Sequence, residues 1–202
     1  YNSGLLENGF GVSAMFSHWQ GDGYNDMTAG QGQSYFVSIG YKANEKHNFN
    51  FLVTGAPQWH DQNYAKVLGT VYNTDNSVRT PGYDVFGNKF NNNWGMLNGK
   101  AFNDRRNYYH KPVANFNWDW KINELSSLST VLYASWGRGG GTGSVGAFAP
   151  IMQDGTGTKN FQSIYDANVL SGESNAAVRS SVNNHAWYGM VTSYNRELTD
   201  RK

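Results

Sequence analysis

The chain contains no cysteine, which excludes structural disulfides, thiolate metal ligands and a cysteine nucleophile. It is also poor in charge. Charged residues make up 15% of the 202 positions, against about 25% in typical globular chains. The formal net charge is only +1, so the overall charge gives no reason to expect nucleic acid or an anionic membrane surface as a partner.

Long apolar runs are missing as well. No stretch reaches the roughly 18 apolar residues that a transmembrane helix needs. The first residues, Tyr1-Asn2-Ser3-Gly4, have neither the basic segment nor the apolar core of a signal peptide. Both ends resemble the middle of a domain, which leads us to expect a fragment of a larger one.

What the chain has in abundance is glycine, aromatic residues and strict alternation of apolar with polar positions. Alternation with a period of two predicts strands that have one apolar and one polar face. The predicted strands are Phe10–Trp19, Ser34–Lys42, Asn48–Gly55, Pro112–Ile122, Leu128–Trp136 and His185–Tyr194. The predicted apolar face includes Phe51, Trp118, Trp120 and Leu132, and the polar face includes Asn50, Asn115, Asn117, Asp119 and Ser129. For His185–Tyr194 the pattern does not assign the faces.

Short and long connections between these strands alternate. The short ones are 43–47 and 123–126, and the long ones are 21–33, 57–107 and 138–183. Structureless loops beyond about 15 residues are uncommon in compact domains, whereas outer-membrane β-barrels have short turns at one end and long loops at the other. A soluble sandwich also alternates, but a packed core would not tolerate the polar second face.

Aromatic residues lie near the strand ends, where barrels have aromatic girdles at the two headgroup levels. These residues are Tyr35, Tyr41, Tyr108, Tyr109, Trp120 and Trp136. Six strands do not enclose a wet lumen, which needs about 16 or more. The predicted fold is therefore all-β, an arc of about six antiparallel strands from a large transmembrane β-barrel with long extracellular loops.

Four stretches resemble the barrel domain of TonB-dependent outer-membrane receptors, in particular the large Bacteroidota group. They are GLLENGFGVSAMFSHWQGDGYNDMT, YFVSIGYK, HNFNFLVTGAPQWHDQN and SVNNHAWYG. The resemblance implies a barrel of about 22 strands in the bacterial outer membrane, occluded by an N-terminal plug. Residues 1–202 would be part of that barrel, with the plug and the TonB-contacting segment outside this sequence.

The same resemblance implies active uptake of a scarce nutrient such as an iron chelate or siderophore, cobalamin or an oligosaccharide, without enzymatic chemistry or a cofactor. The implied partners are the TonB complex, outer-membrane lipid, a surface lipoprotein and a small-molecule or glycan ligand. Two alternatives stay open: a passive porin, and a soluble β-rich carbohydrate-binding protein.

The candidate ligand contacts lie at the base of the longest predicted loop: Gln58, Trp59, His60, Arg105 and Arg106. Aromatic rings and amides are typical of small-molecule sites, although the same side chains could simply order the loop. Trp59-His60-Asp61 offers two adjacent metal ligands, whereas a metal site needs three or four. No nucleophile elbow accompanies it, so neither a metal centre nor a catalytic site is expected.

Two further segments carry patterns. Gly141, Gly143 and Gly146 have the spacing of a dinucleotide fingerprint, but no helix begins after them, so nucleotide binding is rejected and a flexible extracellular loop is predicted. Residues 161–179 have weak helical character, which predicts a short helical turn before Gly172.

Overall fold

The structure is a computed structural model that describes residues 1–63, 71–72, 78–79, 86–146 and 157–198. The fold is all-β, with antiparallel strands and one short helix in the described part. The strands are β1 (Asn2–Leu5), β2 (Phe10–Gly21), β3 (Gly30–Lys42), β4 (His47–Gly55), β5 (Gln58–Asp61), β6 (Val71–Tyr72), β7 (Val78–Arg79), β8 (Trp94–Leu97), β9 (Lys100–Asn103), β10 (Arg106–His110), β11 (Val113–Asn123), β12 (Ser126–Gly146), β13 (Ala176–Val182) and β14 (His185–Arg196). Helix α1 is Phe161–Ser171, and Gly87–Lys89 form a 3-10 turn.

One sheet contains most of the strands, in the order β1-β2-β3-β4-β11-β12-β14. At the end of the sheet with the long connections, β5 takes the place of β4 beside β3, and β10 takes the place of β11 beside β12. In the same way, β13 takes the place of β14 on the other side of β12. The register is unbroken, because Thr54 lies opposite Val113 and Asp61 lies opposite Arg106 with the same offset. Each of these pairs of strands is therefore one long strand with an interruption.

Proline accounts for two of the interruptions. Pro57 separates β4 from β5, and Pro112 separates β10 from β11. Proline cannot donate a ladder hydrogen bond, yet both carbonyls still accept one: Pro57 from Gln33 N at 2.9 Å and Pro112 from Trp136 N at 3.4 Å. The ladder thus continues past each proline.

Asparagine side chains shape the three short turns. Asn44 Oδ1 accepts from the backbone N–H of Lys46 at 2.8 Å, and Asn123 Oδ1 accepts from Leu125 at 2.9 Å. Both turns have the same sequence pattern, Lys-x-Asn-Glu, and in both the lysine pairs with the glutamate, at 3.0 Å and 2.8 Å. In the β1–β2 turn, Asn8 plays the same part for Phe10 N at 3.2 Å, before a positive φ of 81° at Gly9.

The six strands predicted from alternation are confirmed, and so is the helical turn before Gly172, which has the left-handed conformation that ends α1. The prediction of a flexible loop around Gly141 and Gly143 is wrong, because β12 continues through 21 residues to Gly146. The predicted long connections are also too long. Their first and last parts form β5, β10, β13 and the start of β3, since hydrogen bonding to β3 and β12 compensates for their weak strand propensity.

Buried apolar residues are concentrated in the long connections. We call residues 86–105 and 157–176 the loop cap. The buried hydrophobic side chains in the described residues, Phe90, Phe161, Ile164 and Ala176, all belong to it. The strands have no such core: Phe16 is 72% exposed and Met190 is 66% exposed. In the described residues, the large sheet is therefore a single layer, and both of its faces are largely uncovered by other elements.

Among the described residues, no helix has the length and apolar character needed to cross a lipid bilayer.

Candidate functional site

Cross-strand pairing gathers the apolar residues of six strands on one side of the sheet, which we call the apolar face. Phe116 lies opposite Phe51 and Leu132, and Leu132 lies opposite Met190. Since directly opposite residues share a face, the apolar set predicted from alternation is confirmed. The pairing also assigns the faces of β14, with Ala186, Tyr188, Met190, Thr192 and Tyr194 on the apolar face.

The opposite side, the polar face, is joined by side-chain hydrogen bonds. Asn117 Nδ2 donates to Asn50 Oδ1 at 3.3 Å, and Asn50 Nδ2 donates to Ser38 Oγ at 2.8 Å. On the next strands Ser129 Oγ donates to Asp119 Oδ1 at 2.7 Å. This ladder confirms that the predicted polar residues share a face. It also gives hydrogen-bond partners to polar side chains whose removal from water without a partner would cost free energy.

The apolar face ends abruptly at one level of the sheet. On β12 it extends from Leu128 to Trp136, about 27 Å at roughly 3.4 Å per residue. The next residue on that face is Arg138. The same change occurs on β3, where Tyr35 is followed by Gln33, and on β2, where Phe16 is followed by His18. Above this level the continuation of the apolar face is polar or amphipathic.

Aromatic residues mark both limits of the apolar face. At the limit near the short turns, Trp118 and Trp120 stack with His47 and Phe49, with ring centroids 5.8–6.5 Å apart. Tyr35 and Trp136 lie at the other limit. Two expected girdle residues are elsewhere: Tyr109 lies on the polar face opposite Gln58, and Tyr108 lies above the limit. Strand alternation continues through β10, so neighbouring tyrosines point to opposite sides.

The Trp59-His60-Asp61 cluster is divided between the two faces, because it is a strand and not a loop base. His60 and Gln58 lie on the polar face, where a Cβ on Gly30 or Gly32 would come within 2.9 Å of their Cβ atoms. Trp59 lies opposite Tyr108 and Asp61 opposite Arg106 on the continuation of the apolar face. Of the five predicted ligand contacts, the structure therefore brings Gln58, His60 and Arg105 to one side and places Trp59 and Arg106 on the other.

Glycines on the polar face accommodate side chains from neighbouring strands. A Cβ on Gly32 would lie 2.6 Å from Nε1 of Trp19, so the indole lies over that glycine. In the same way the ring of Tyr133 lies over Gly189 and the imidazole of His185 over Gly137. The guanidinium of Arg105 covers Gly143. Aromatic residues that cover strand glycines are a known stabilising device in sheets.

Sequence reasoning missed two of the polar-face aromatics. Trp19 is 44% exposed and Trp187 is 67% exposed. A signal for Trp19 was present, since it continues the phase of Ser13 and Ser17 in β2. Trp187 could not be placed, because the last strand alternates poorly and its face depends on pairing with Ser135.

Arg106 makes the best-defined ion pair near the site. Its Nε and Nη2 donate to the two carboxylate oxygens of Asp61 at 2.7 and 3.0 Å, and its guanidinium lies 4.0 Å from the centre of the Trp59 ring. The hydrogen bonds to Asp61 raise the pKa of Arg106 above its already high ordinary value. Arg106 therefore stays charged and holds Trp59 against the sheet.

The loop cap is held by buried polar contacts. Asp104 is fully buried and accepts hydrogen bonds from Lys159 Nζ at 2.6 Å and from Ser144 Oγ. Asn91 Nδ2 donates to the carbonyl of Asp26 at 2.9 Å, and Asn103 Nδ2 donates to that of Met27 at 2.7 Å. These bonds join the cap to the connection between β2 and β3 and to the end of β12.

Among the described residues, no group of three or more histidine, aspartate or glutamate side chains could hold a metal ion. Comparison with known proteins adds no relationship: no family model, no curated protein and no solved structure matches the chain.

Proposed function

We propose that this chain forms part of the barrel of a TonB-dependent outer-membrane transporter that takes up a scarce nutrient. The observation that carries the proposal is the exposed apolar face, about 27 Å long along β12, set against a hydrogen-bonded polar face on the same strands. A bilayer covers one such face and water wets the other. Transmembrane barrels have an outer apolar band of about 25 Å.

The arrangement of the connections supports the same proposal. The turns at one end contain only a few residues, and the connections at the other end fold into the loop cap. The choice of a TonB-dependent receptor with about 22 strands rests on the sequence resemblance alone. A passive porin would share the strands and turns, and it is the second candidate for that reason.

In this proposal the ligand contacts the polar face, in the part that extends beyond the level of Tyr35 and Trp136 towards the long connections. Gln58, His60 and Arg105 share it with Trp19 and Tyr109. This combination of amides, imidazole, guanidinium and exposed rings can bind a polar ligand by hydrogen bonds and ring stacking. Trp59 and Arg106 have a structural part on the other side.

Membrane insertion is the first test. Purified in detergent, the protein should resist unfolding in SDS until it is heated, and it should fractionate with the outer membrane. A protein that extracts without detergent would refute the barrel. Uptake of candidate nutrients with and without functional TonB then separates the two candidates. Uptake that continues after loss of TonB would favour the porin.

Ligand contact is tested by His60→Ala against Trp59→Ala. The two residues are neighbours in β5 but lie on opposite faces. Ligand affinity should fall for His60→Ala and stay near the wild-type value for Trp59→Ala. The reverse order would contradict the assignment of the vestibule to the polar face.

A further inference from the structure

The continuation of the apolar face above Tyr35 and Trp136 has a composition of its own. We call six of its residues the upper patch: Gln31, Gln33, Trp59, Tyr108, His110 and Arg138. They contribute most of the lining of a shallow cavity of about 400 Å³, to which Pro57, Gln58 and Tyr109 also contribute. His110 lies directly opposite Arg138, and Trp59 lies directly opposite both Gln31 and Tyr108.

Several side chains of the upper patch are held in place by neighbours. Tyr35 and Nε2 of His110 are joined by a hydrogen bond of 2.9 Å. The Tyr108 hydroxyl and Ser180 Oγ lie 2.6 Å apart, and they meet across Gly140, which has no side chain to separate them. Gln33 Nε2 lies 3.1 Å from Nδ1 of His18. The patch is therefore an ordered surface of hydrogen-bonding groups.

The charge of this surface is positive. Asp61 borders the patch, and its carboxylate is already paired with Arg106. Arg138 is exposed, and it carries the formal positive charge of the six residues. The net charge of the whole chain is close to zero and therefore gave no reason to expect an anionic partner. Near the upper patch, however, no unpaired acidic side chain accompanies Arg138 among the six residues. The local balance is what a ligand at this surface experiences.

We propose that the upper patch binds the phosphate of lipid headgroups in the leaflet that surrounds the loop-bearing end of the barrel. The inference rests on the proposed function, since it needs the apolar face to lie in a bilayer. Arg138 is the next residue after Trp136 on this side of β12, where Trp136 is the last residue of the apolar face, and in the proposed membrane location it lies at headgroup level. Arginine donates several hydrogen bonds to phosphate oxygens, and Gln31, Gln33 and His110 add polar groups around it.

The test uses the protein purified from its membrane and placed in lipid nanodiscs. The discs contain phosphatidylcholine with either phosphorylated lipid A or its dephosphorylated form. Native mass spectrometry counts the lipid A molecules retained by the wild type, Arg138→Gln and Arg179→Gln. Arg179 is the matched control, because it is exposed and lies opposite Gly143 on the polar face.

The wild type should retain phosphorylated lipid A over the dephosphorylated form. Arg138→Gln should reduce that retention about fivefold, the factor for one basic residue at an anionic surface, while Arg179→Gln leaves it unchanged and Arg138→Lys keeps most of it. Millimolar inorganic phosphate should not release the lipid, which separates a headgroup site from a free phosphate site.

Equal retention of the two lipid forms, or equal loss in both arginine variants, would overturn the inference while leaving the transporter proposal intact. Release by inorganic phosphate would also overturn it. If the protein does not insert into nanodiscs at all, the proposed function fails, and the inference fails with it.

Discussion

Two regions of the molecule distribute polar and apolar side chains in opposite ways. One is the part of the sheet that extends from the short turns to the level of Trp136, and the other is the loop cap. In the sheet, large apolar side chains such as Phe51 and Met190 are exposed, and asparagines pair with one another on the polar face. In the loop cap, Phe161 and Ile164 are buried. The comparison teaches that the two regions satisfy their apolar side chains differently: the loop cap buries its own, whereas the sheet presents a large exposed apolar surface of the kind that marks an interaction site.

The largest effect is expected in the loop cap, from Lys159→Met. Lys159 and Asp104 form a buried ion pair with side chains 8% and 0% exposed. Removal of one partner leaves a buried charge uncompensated, which costs about 3–5 kcal/mol. Hydrogen exchange of amides in 94–104 and 157–161 should become faster by the corresponding factor.

The control for this change is Lys121→Met, which breaks the exposed pair with Glu124 in a short turn. Exposed pairs contribute about 0–1 kcal/mol, so exchange in the cap should not change. Equal effects of the two variants would contradict the distinction between a buried ion pair in the loop cap and an exposed pair in the turn.

The second largest effect is expected on the apolar face, from Phe116→Arg. Phe116 lies opposite Phe51 and Leu132, midway along the apolar face. A cation at the bilayer midplane costs about 2–4 kcal/mol, so the yield of heat-modifiable protein in the membrane should fall. Asn117→Arg, one position along on the polar face, should assemble normally. Similar yields for the two variants would contradict the assignment of the faces.

A smaller effect is expected from Arg106→Gln, at the boundary between the two regions. The change removes the two hydrogen bonds to Asp61 and the contact with Trp59. Because Arg106 is 45% exposed, we expect a loss of roughly 1 kcal/mol, seen as faster hydrogen exchange in β5 and β10. Arg138→Gln should leave this exchange unchanged, and an equal acceleration would refute the structural part of Arg106.

The smallest effect concerns the pH dependence of the turn after β11. Hydrogen bonds from Lys121 lower the pKa of Glu124 below its ordinary value of 4.5. A lowered pKa means that the pair stabilises the folded state above the unfolded pKa and that this contribution is lost as pH falls through the folded pKa. NMR titration should show the carboxyl of Glu124 returning towards 4.5 in Lys121→Met. An unchanged titration would mean that the pair is not formed in solution.

The accuracy of the predictions made from the sequence differed between strictly alternating segments and glycine-rich ones. Segments such as Pro112–Ile122 alternate strictly, and their strands and faces were predicted correctly because side-chain direction in a strand is a local property. The glycine-rich end of β12 was wrongly predicted as a flexible loop. Its glycines have no local strand preference, and pairing with β10 and β13 holds them extended.

The arrangement of the five predicted ligand contacts differs from a loop base. Gln58, Trp59 and His60 lie on β5, and Arg106 begins the neighbouring strand β10, where it lies opposite Asp61. Their division between two faces could not be foreseen, because a loop had been expected there and loops have no fixed alternation.

The sequence by itself determined the class of fold and the two faces of each regular strand, since a period of two sets the side on which each residue lies. The tertiary structure decided which strands are neighbours, where β12 ends, and that Trp59 and His60 lie on opposite sides of the sheet. Those properties depend on hydrogen bonds between residues far apart in the chain, such as that from the backbone N–H of Asp61 to the carbonyl of Ala29, which no local pattern encodes.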